Sequence, residues 1–471
     1  MATRLPPHPP RLPGVGTLFP SMRDPIGYPI RNYRRYGEVV GVHLLNVHGA
    51  ALYGPAANRY ILVDNVENFL VEPLVDRLGV RLLVGEGVLF IDDPRHRKQR
   101  RLIMPAFHRK RIENYQEVMR RETEVMLDSW TPGVALDVAA EMRRLALVIA
   151  GRTLFSMDLG GNANELGVAV ATLVGTLGSV FNATLARVPF NLPLLGGRGG
   201  SVRAGLARID RVLGAIIAEH EREGTDTGDV VSMLVAARDE DGSRLSPKQI
   251  RDHLLTLFVA GHETSANALA WTFYLLAQHP DITARLLSEL DRELHGAAPT
   301  PADLERLPYL EQVIKESLRL YPPAPSAVRT AREGFEWQGY TIRAGEVVFY
   351  SPYISHRMPH IFPEPETFRP ERFAPDSPEN PPPYAYIPFA AGPRSCIGAP
   401  FAMMEIKTVL AMTLPRFRMD LVRGQRVDQA MRLTLQPKYG IQMIPQPQDG
   451  QPERSRARVL GNAVGATPGP P

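Results

Sequence analysis

Phe389-Ala-Ala-Gly392-Pro-Arg394-Ser-Cys396-Ile-Gly398 contains the only cysteine of the 471-residue chain. It is a loop of Gly, Pro and Ala, placed just before an apolar, helix-patterned stretch from Ala399 to Leu414. That position predicts a thiolate facing the unpaired N–H groups of a helix start, which favour negative charge. Gly392 and Gly398 let the backbone pass close to a large flat group without side-chain clashes. A lone cysteine elsewhere is most often a small buried hydrophobe, and a cysteine nucleophile needs a base beside it in space. What decides between these readings is the whole pattern: Phe, Gly, Arg, Cys and Gly separated by three, two, two and two positions.

This pattern resembles the haem-binding loop of the cytochrome P450 family, and the resemblance continues into Ala402 and Glu405. It implies a mainly α cytochrome P450 fold, a large helical body with a small β-rich region. It also implies haem b, with Cys396 as the axial iron ligand and Phe389, Gly392, Arg394 and Gly398 around it. A thiolate ligand pushes electron density toward bound oxygen and favours O–O cleavage.

Ala260-Gly261-His262-Glu263-Thr264-Ser265 sits inside an apolar helical run from His253 to Ala277. Glycine inside a helix costs about 1 kcal/mol relative to alanine, so something should compensate. Thr264 lies four residues after Ala260, and its hydroxyl can bond the Ala260 carbonyl, opening a groove in the helix. Taken alone, such a segment is more often a buried helix with tolerated polar residues. It resembles the acid–alcohol pair of the same family's oxygen-binding helix, which implies Glu263 and Thr264 as the proton-handling catalytic residues. His262 reads as an ordinary helix side chain, not a metal ligand.

Glu316 and Arg319, in Lys315-Glu-Ser-Leu-Arg319, share a helical face. The resemblance implies that they lock onto Arg372 of Phe368-Arg-Pro-Glu-Arg372-Phe373 as a buried scaffold for the cysteine loop. It also assigns His96 and Arg100 (four apart on a helix from Pro94), Arg329 and Arg394 to the haem propionates. Family counterparts of Leu89, Phe90, Leu257, Ala260, Ala324 and Leu433 sit over the haem. All six are apolar, so the expected substrate is hydrophobic, a fatty acid or a terpenoid. Leu166–Leu195 would form a mobile lid over the entrance.

Composition fits this reading. Apolar residues make up 44% and charged residues 22%, ordinary for a soluble globular protein. The net charge of +4 comes without basic runs interleaved with aromatics, so nucleic-acid binding has no support. A single cysteine suits a reducing compartment. No uninterrupted apolar stretch is long enough to cross a membrane, and a cytoplasmic location without a transmembrane anchor is expected. Helix is expected at Asp24–Tyr36 and through most of Pro94–Leu290. Val39–Leu45 and Ala50–Tyr53 read as a hairpin, and short strands are expected in Phe335–Ser351, at Leu421–Val422 and in Leu433–Ile444. Residues 1–444 are then one domain, and 445–471, rich in Pro, Gln, Gly and Arg, a disordered tail. Gly196-Gly-Arg-Gly-Gly200 reads as a loop between helices.

The implied activity is insertion of one atom of O2 into a hydrophobic substrate. Electrons would come from a ferredoxin or flavodoxin with its NAD(P)H reductase, steered by basic residues at Arg97, Lys98, Arg101 and 109–111. The alternatives are a peroxide-driven or non-oxygen-activating haem-thiolate enzyme, and a non-enzymatic haem sensor or electron carrier. The acid–alcohol pair argues against both.

Overall fold

The computed structural model describes residues 4–11, 16–44, 47–77, 81–157 and 198–463. The expected lid at Leu166–Leu195 lies outside them. Gly199 and Gly200 stand in the first turn of the helix Arg198–Glu223, so that half of the glycine run is not the loop expected of it.

The body is helical, built around one long helix, Pro247–Gln278, of 32 residues. Ser246 starts it with a reciprocal capping box to Gln249, and Pro247 occupies the first turn where no N–H is missed. From Ser265 to Gln278 every residue of this helix is buried. A helix apolar on all sides belongs in a core. It packs against Val138–Phe155, Pro308–Leu320 and Ala399–Thr413.

A five-stranded sheet lies beside the body in the order Val39–Leu44, Val47–Leu52, Val347–Tyr350, Ala327–Ala331, Phe69–Leu70. Only the second and third strands pair in parallel. The hairpin read from the sequence is its outer edge, with Val39 opposite Leu52. Strand Ala327–Ala331 was not read from the sequence; its central Arg329 faces Val348 across the ladder. A separate hairpin pairs Gln429–Met431 with Leu435–Pro437.

The tail reading needs correction. Strand Gln442–Pro447 crosses the assumed boundary at Pro445. The chain then packs back on the body: Ser455 Oγ donates to Ala277 O, Gln278 Nε2 donates to Ala457 O, and Leu460 N donates to Gln425 O. These contacts run largely through backbone groups, which leave no apolar periodicity to be read. Among the described residues, no helix is long and apolar enough to cross a membrane.

Candidate functional site

The cysteine loop is closed by its own backbone. Cys396 N donates to Phe389 O at 2.9 Å, and Ser395 N to Gly392 O at 3.0 Å. Gly392 has φ +68°, and a Cβ there would stand 2.0 Å from the Leu62 carbonyl oxygen, so only glycine fits. Gly398 caps the helix Ala399–Thr413. Burial pushes the Cys396 thiol up, while the Gly398 and Ala399 N–H groups and the Arg100 guanidinium pull it down.

Three guanidiniums and one imidazole meet near this loop. Arg100 Nη1 donates to Ser395 O at 2.8 Å. Arg394 Nη2 donates to Ile91 O and to Asp92 Oδ1 at 2.9 Å. Arg329 Nη1 donates to Val328 O, and Nη2 reaches Tyr350 Oη at 3.4 Å. His96 is buried against Asp93, and burial together with the Arg394 and Arg100 charges lowers its pKa to about 4. Among the described residues, no carboxylate pairs with Arg100 or Arg329.

On the long helix, Thr264 Oγ1 donates to Ala260 O at 2.7 Å, the local bond expected of it. Leu257, Ala260, Gly261 and Thr264, at i, i+3, i+4 and i+7, form one incompletely buried stripe just before the continuously buried stretch Ser265–Gln278. Glu263 is buried beside it. Ser265 lies beside the side chain of Glu405 on the helix that follows the cysteine loop, which brings the two motifs together. Among the other apolar pocket candidates, Leu89 and Leu433 are 54% and 44% exposed. Ala324 is exposed between buried Pro323 and Pro325, and Phe90 is half-buried. His262 Nδ1 donates to Phe258 O at 2.8 Å and the ring stacks on that of Phe258, as an ordinary helix residue would.

A Cytochrome P450 family model matches residues 6–445. The chain belongs to the cytochrome P450 family. Cyclooctatin synthase of Streptomyces melanosporofaciens is 38% identical over 78% of this chain and 79% of that protein. Cyclooctat-9-en-7-ol 5-monooxygenase of the same organism is 34% identical over 88% and 89%. The solved structure of a retinoic acid-bound cyanobacterial CYP120A1 superposes with TM-score 0.86 at 26% identity, covering 95% of this chain and 100% of that one. The P450 fold and monooxygenase class read from the sequence are therefore those of this chain.

The residues present fit the haem that the P450 family carries. A thiol meets helix-start N–H groups, Gly392 closes the loop where no side chain fits, and among the described residues Arg100 and Arg329 have no carboxylate partner and are left for propionates, while Arg394 is shared with Asp92. Behind the loop lies the buried Glu316–Arg319–Arg372 cluster. Arg319 Nε and Nη2 fork onto Glu316 at 2.7 and 2.8 Å. Arg372 Nε donates to Glu316 at 3.3 Å. Arg319 also donates to the carbonyls of His356, Pro365 and Thr367. His356, which the sequence reading missed, accepts from Ile387 N at 2.9 Å and so ties this cluster to the strand of chain leading into the cysteine loop. A lone histidine just after a short helix gives no sequence signal for that.

The basic run is not a free cationic surface. Arg97 meets Asp93, Lys98 meets Asp239 and Asp241, and Arg101 meets Asp239 and Glu240. Arg109 meets Glu113 and Glu305, and Arg111 meets Asp226. The acidic turn at 239–241 compensates Lys98 and Arg101 and scattered carboxylates pair with the other three arginines, which a linear count of charges could not show. A cleft of about 740 Å3 lined by Leu287, Asp291, Ala411 and Arg416 among others shares no residue with the site.

Proposed function

We propose that this P450 hydroxylates a terpenoid-class hydrocarbon skeleton, and that Cys396 would hold the iron of haem b through its sulfur. Arg100, Arg329, Arg394 and neutral His96 would hold the propionates, and Phe389, Gly392 and Gly398 would shape the loop. When bound, haem supplies the iron centre at which O2 is reduced and cleaved. The protein's own part is positional. Gly392 and the N–H groups of Gly398 and Ala399 fix the sulfur. Thr264, its hydroxyl proton engaged by Ala260 O, presents the hydroxyl's lone pairs to the helix groove and would hold a proton-carrying water there, with buried Glu263 beside it to resupply protons. Leu89, Phe90, Leu257, Ala260, Ala324 and Leu433 would bind an apolar substrate and exclude water.

The observation that carries this reading is the conjunction of a helix-start thiol with an acid–alcohol groove, tied together through Ser265 and Glu405. Two relatives whose printed names are a cyclooctatin synthase and a cyclooctat-9-en-7-ol monooxygenase support terpenoids over fatty acids. Electrons would come from a ferredoxin or flavodoxin with its NAD(P)H reductase, in the cytoplasm.

The test has two arms. The reduced carbon monoxide complex should show the thiolate-type spectrum, and Cys396→Ser should lose it; an unchanged spectrum would sink the ligand assignment. Cyclic terpenes should shift the haem spin state at lower concentration than long-chain fatty acids. The reverse order would move the substrate class to fatty acids.

A further inference from the structure

The two oxygens of the Glu263 carboxylate lie in different surroundings. Oε1 accepts from Thr434 Oγ1 at 2.9 Å, and that hydroxyl accepts from Asn267 Nδ2 at 2.9 Å. A side-chain amide nitrogen only donates, so it occupies a lone pair of the hydroxyl and leaves the hydroxyl proton aimed at Glu263. Oε2 is buried and meets no hydrogen-bond partner among the described residues. Glu263, Asn267 and Trp271 stand at i, i+4 and i+8, one face of the long helix. The hairpin 429–437 runs along that face and is fixed there. Trp271 Nε1 donates to Leu435 O at 3.3 Å, and Leu435 N donates to Pro323 O at 3.0 Å. Asn267, Trp271 and Leu435 are fully buried, so a hydroxyl and an amide stand in an otherwise apolar seam.

Buried polar side chains are retained where their hydrogen bonds are satisfied. Here each bond in the chain from Asn267 through Thr434 ends on Glu263. A carboxylate free to turn about its last torsion would exchange its two oxygens; one held by a hydroxyl on a fixed hairpin keeps them distinct.

We propose that Thr434, backed by Asn267, is a positioning residue for the monooxygenase reaction: it clamps Oε1 of Glu263 so that Oε2 is the oxygen that takes up and releases the proton. The proposal rests on Glu263 being the acid of the proton path. It assigns a role to a hairpin residue 170 positions along the chain from Thr264 (434 minus 264), for which no motif calls.

Thr434→Val deletes the hydroxyl at nearly constant shape, and Thr434→Ser keeps it. Two measurements on the haem-loaded enzyme decide the matter. One is the infrared carboxyl band that disappears in Glu263→Gln; the other is product formed per NAD(P)H consumed. Thr434→Val should shift the band and lower coupling roughly tenfold in favour of hydrogen peroxide, the factor expected of one hydrogen bond to a charged group. Thr434→Ser should restore both, and in the Glu263→Gln background Thr434→Val should change coupling less than about twofold, because the group it positions is gone. An unmoved band, or an equal loss of coupling in both backgrounds, would overturn the proposal. A band that moves while coupling stays intact would instead overturn the reading of Glu263 as the proton source.

Discussion

At the scale of single residues, the site is a set of local conflicts resolved by short bonds. Thr264 withdraws the Ala260 carbonyl from part of its helical duty, a bond that slightly destabilises and bends a helix. The cost is small, and the result is a hydroxyl standing in a groove. Thr264→Ala removes the hydroxyl and leaves Gly261 and Glu263 in place. Haem content and substrate-induced spin shift should be unchanged, while product per NAD(P)H falls on the order of tenfold and hydrogen peroxide rises in proportion. That loss sits below the range of a full general acid, since water remains as a poorer donor. Unchanged coupling would make Thr264 a helix-shaping residue only. The bond itself was legible in the sequence because it joins residues four apart on one helix. The Thr434 contact to Glu263 spans two elements brought together only by folding, and a threonine in a hairpin announces nothing.

At the scale of elements, the Glu316–Arg319–Arg372 cluster shows what a helix motif means once buried. On a surface such an ion pair contributes little. Here Glu316, Arg319 and Arg372 side chains have 0% exposure, and Arg319 makes a fork onto the carboxylate while donating to three carbonyls. Removing one partner leaves a buried charge uncompensated, which costs about 3–5 kcal/mol. Arg319→Leu should lower the unfolding free energy by that order in a denaturant titration followed by circular dichroism. Arg319→Lys should recover little, because a point-like ammonium cannot reproduce the fork. A lysine variant as stable as the wild type would mean that charge alone matters. The helical pair was legible from its spacing, and Arg372 from its Phe-Arg-Pro-Glu-Arg-Phe setting. His356 and strand Ala327–Ala331 were not, since tertiary pairing alone gives them their roles.

At the scale of the molecule, the cysteine side and the oxygen side are held together by contacts that composition hides. Residues 448–463 read as a loose polar tail, yet they close over the end of the long helix through Ser455 and Gln278 and pair with the 425–429 segment. Ending the chain after Pro447 should therefore lower the melting temperature. A melting curve unchanged by that truncation would show that the packing contributes nothing. The tie between the two helices of the site offers a sharper test. Glu405 is buried with 2% exposure, and burial raises its pKa from 4.5 to about 8, with the Ser265 bond pulling weakly the other way. The folded protein thus keeps this proton across a pH range in which the unfolded chain has released it. Stability from Glu405 is complete below about pH 4.5 and drains away as pH rises toward 8. Glu405→Gln keeps the shape and a hydrogen-bonding oxygen but removes the titration. Its unfolding free energy should fall less steeply than that of the wild type between those limits, and the difference between the two curves should grow toward pH 8 to the order of a few kcal/mol. Every other titrating group is common to both proteins, so the difference isolates this one carboxyl. Parallel curves across the range would mean that Glu405 is ionised in the fold, and that a buried cation or water reaches it where the packing now shows only Ser265.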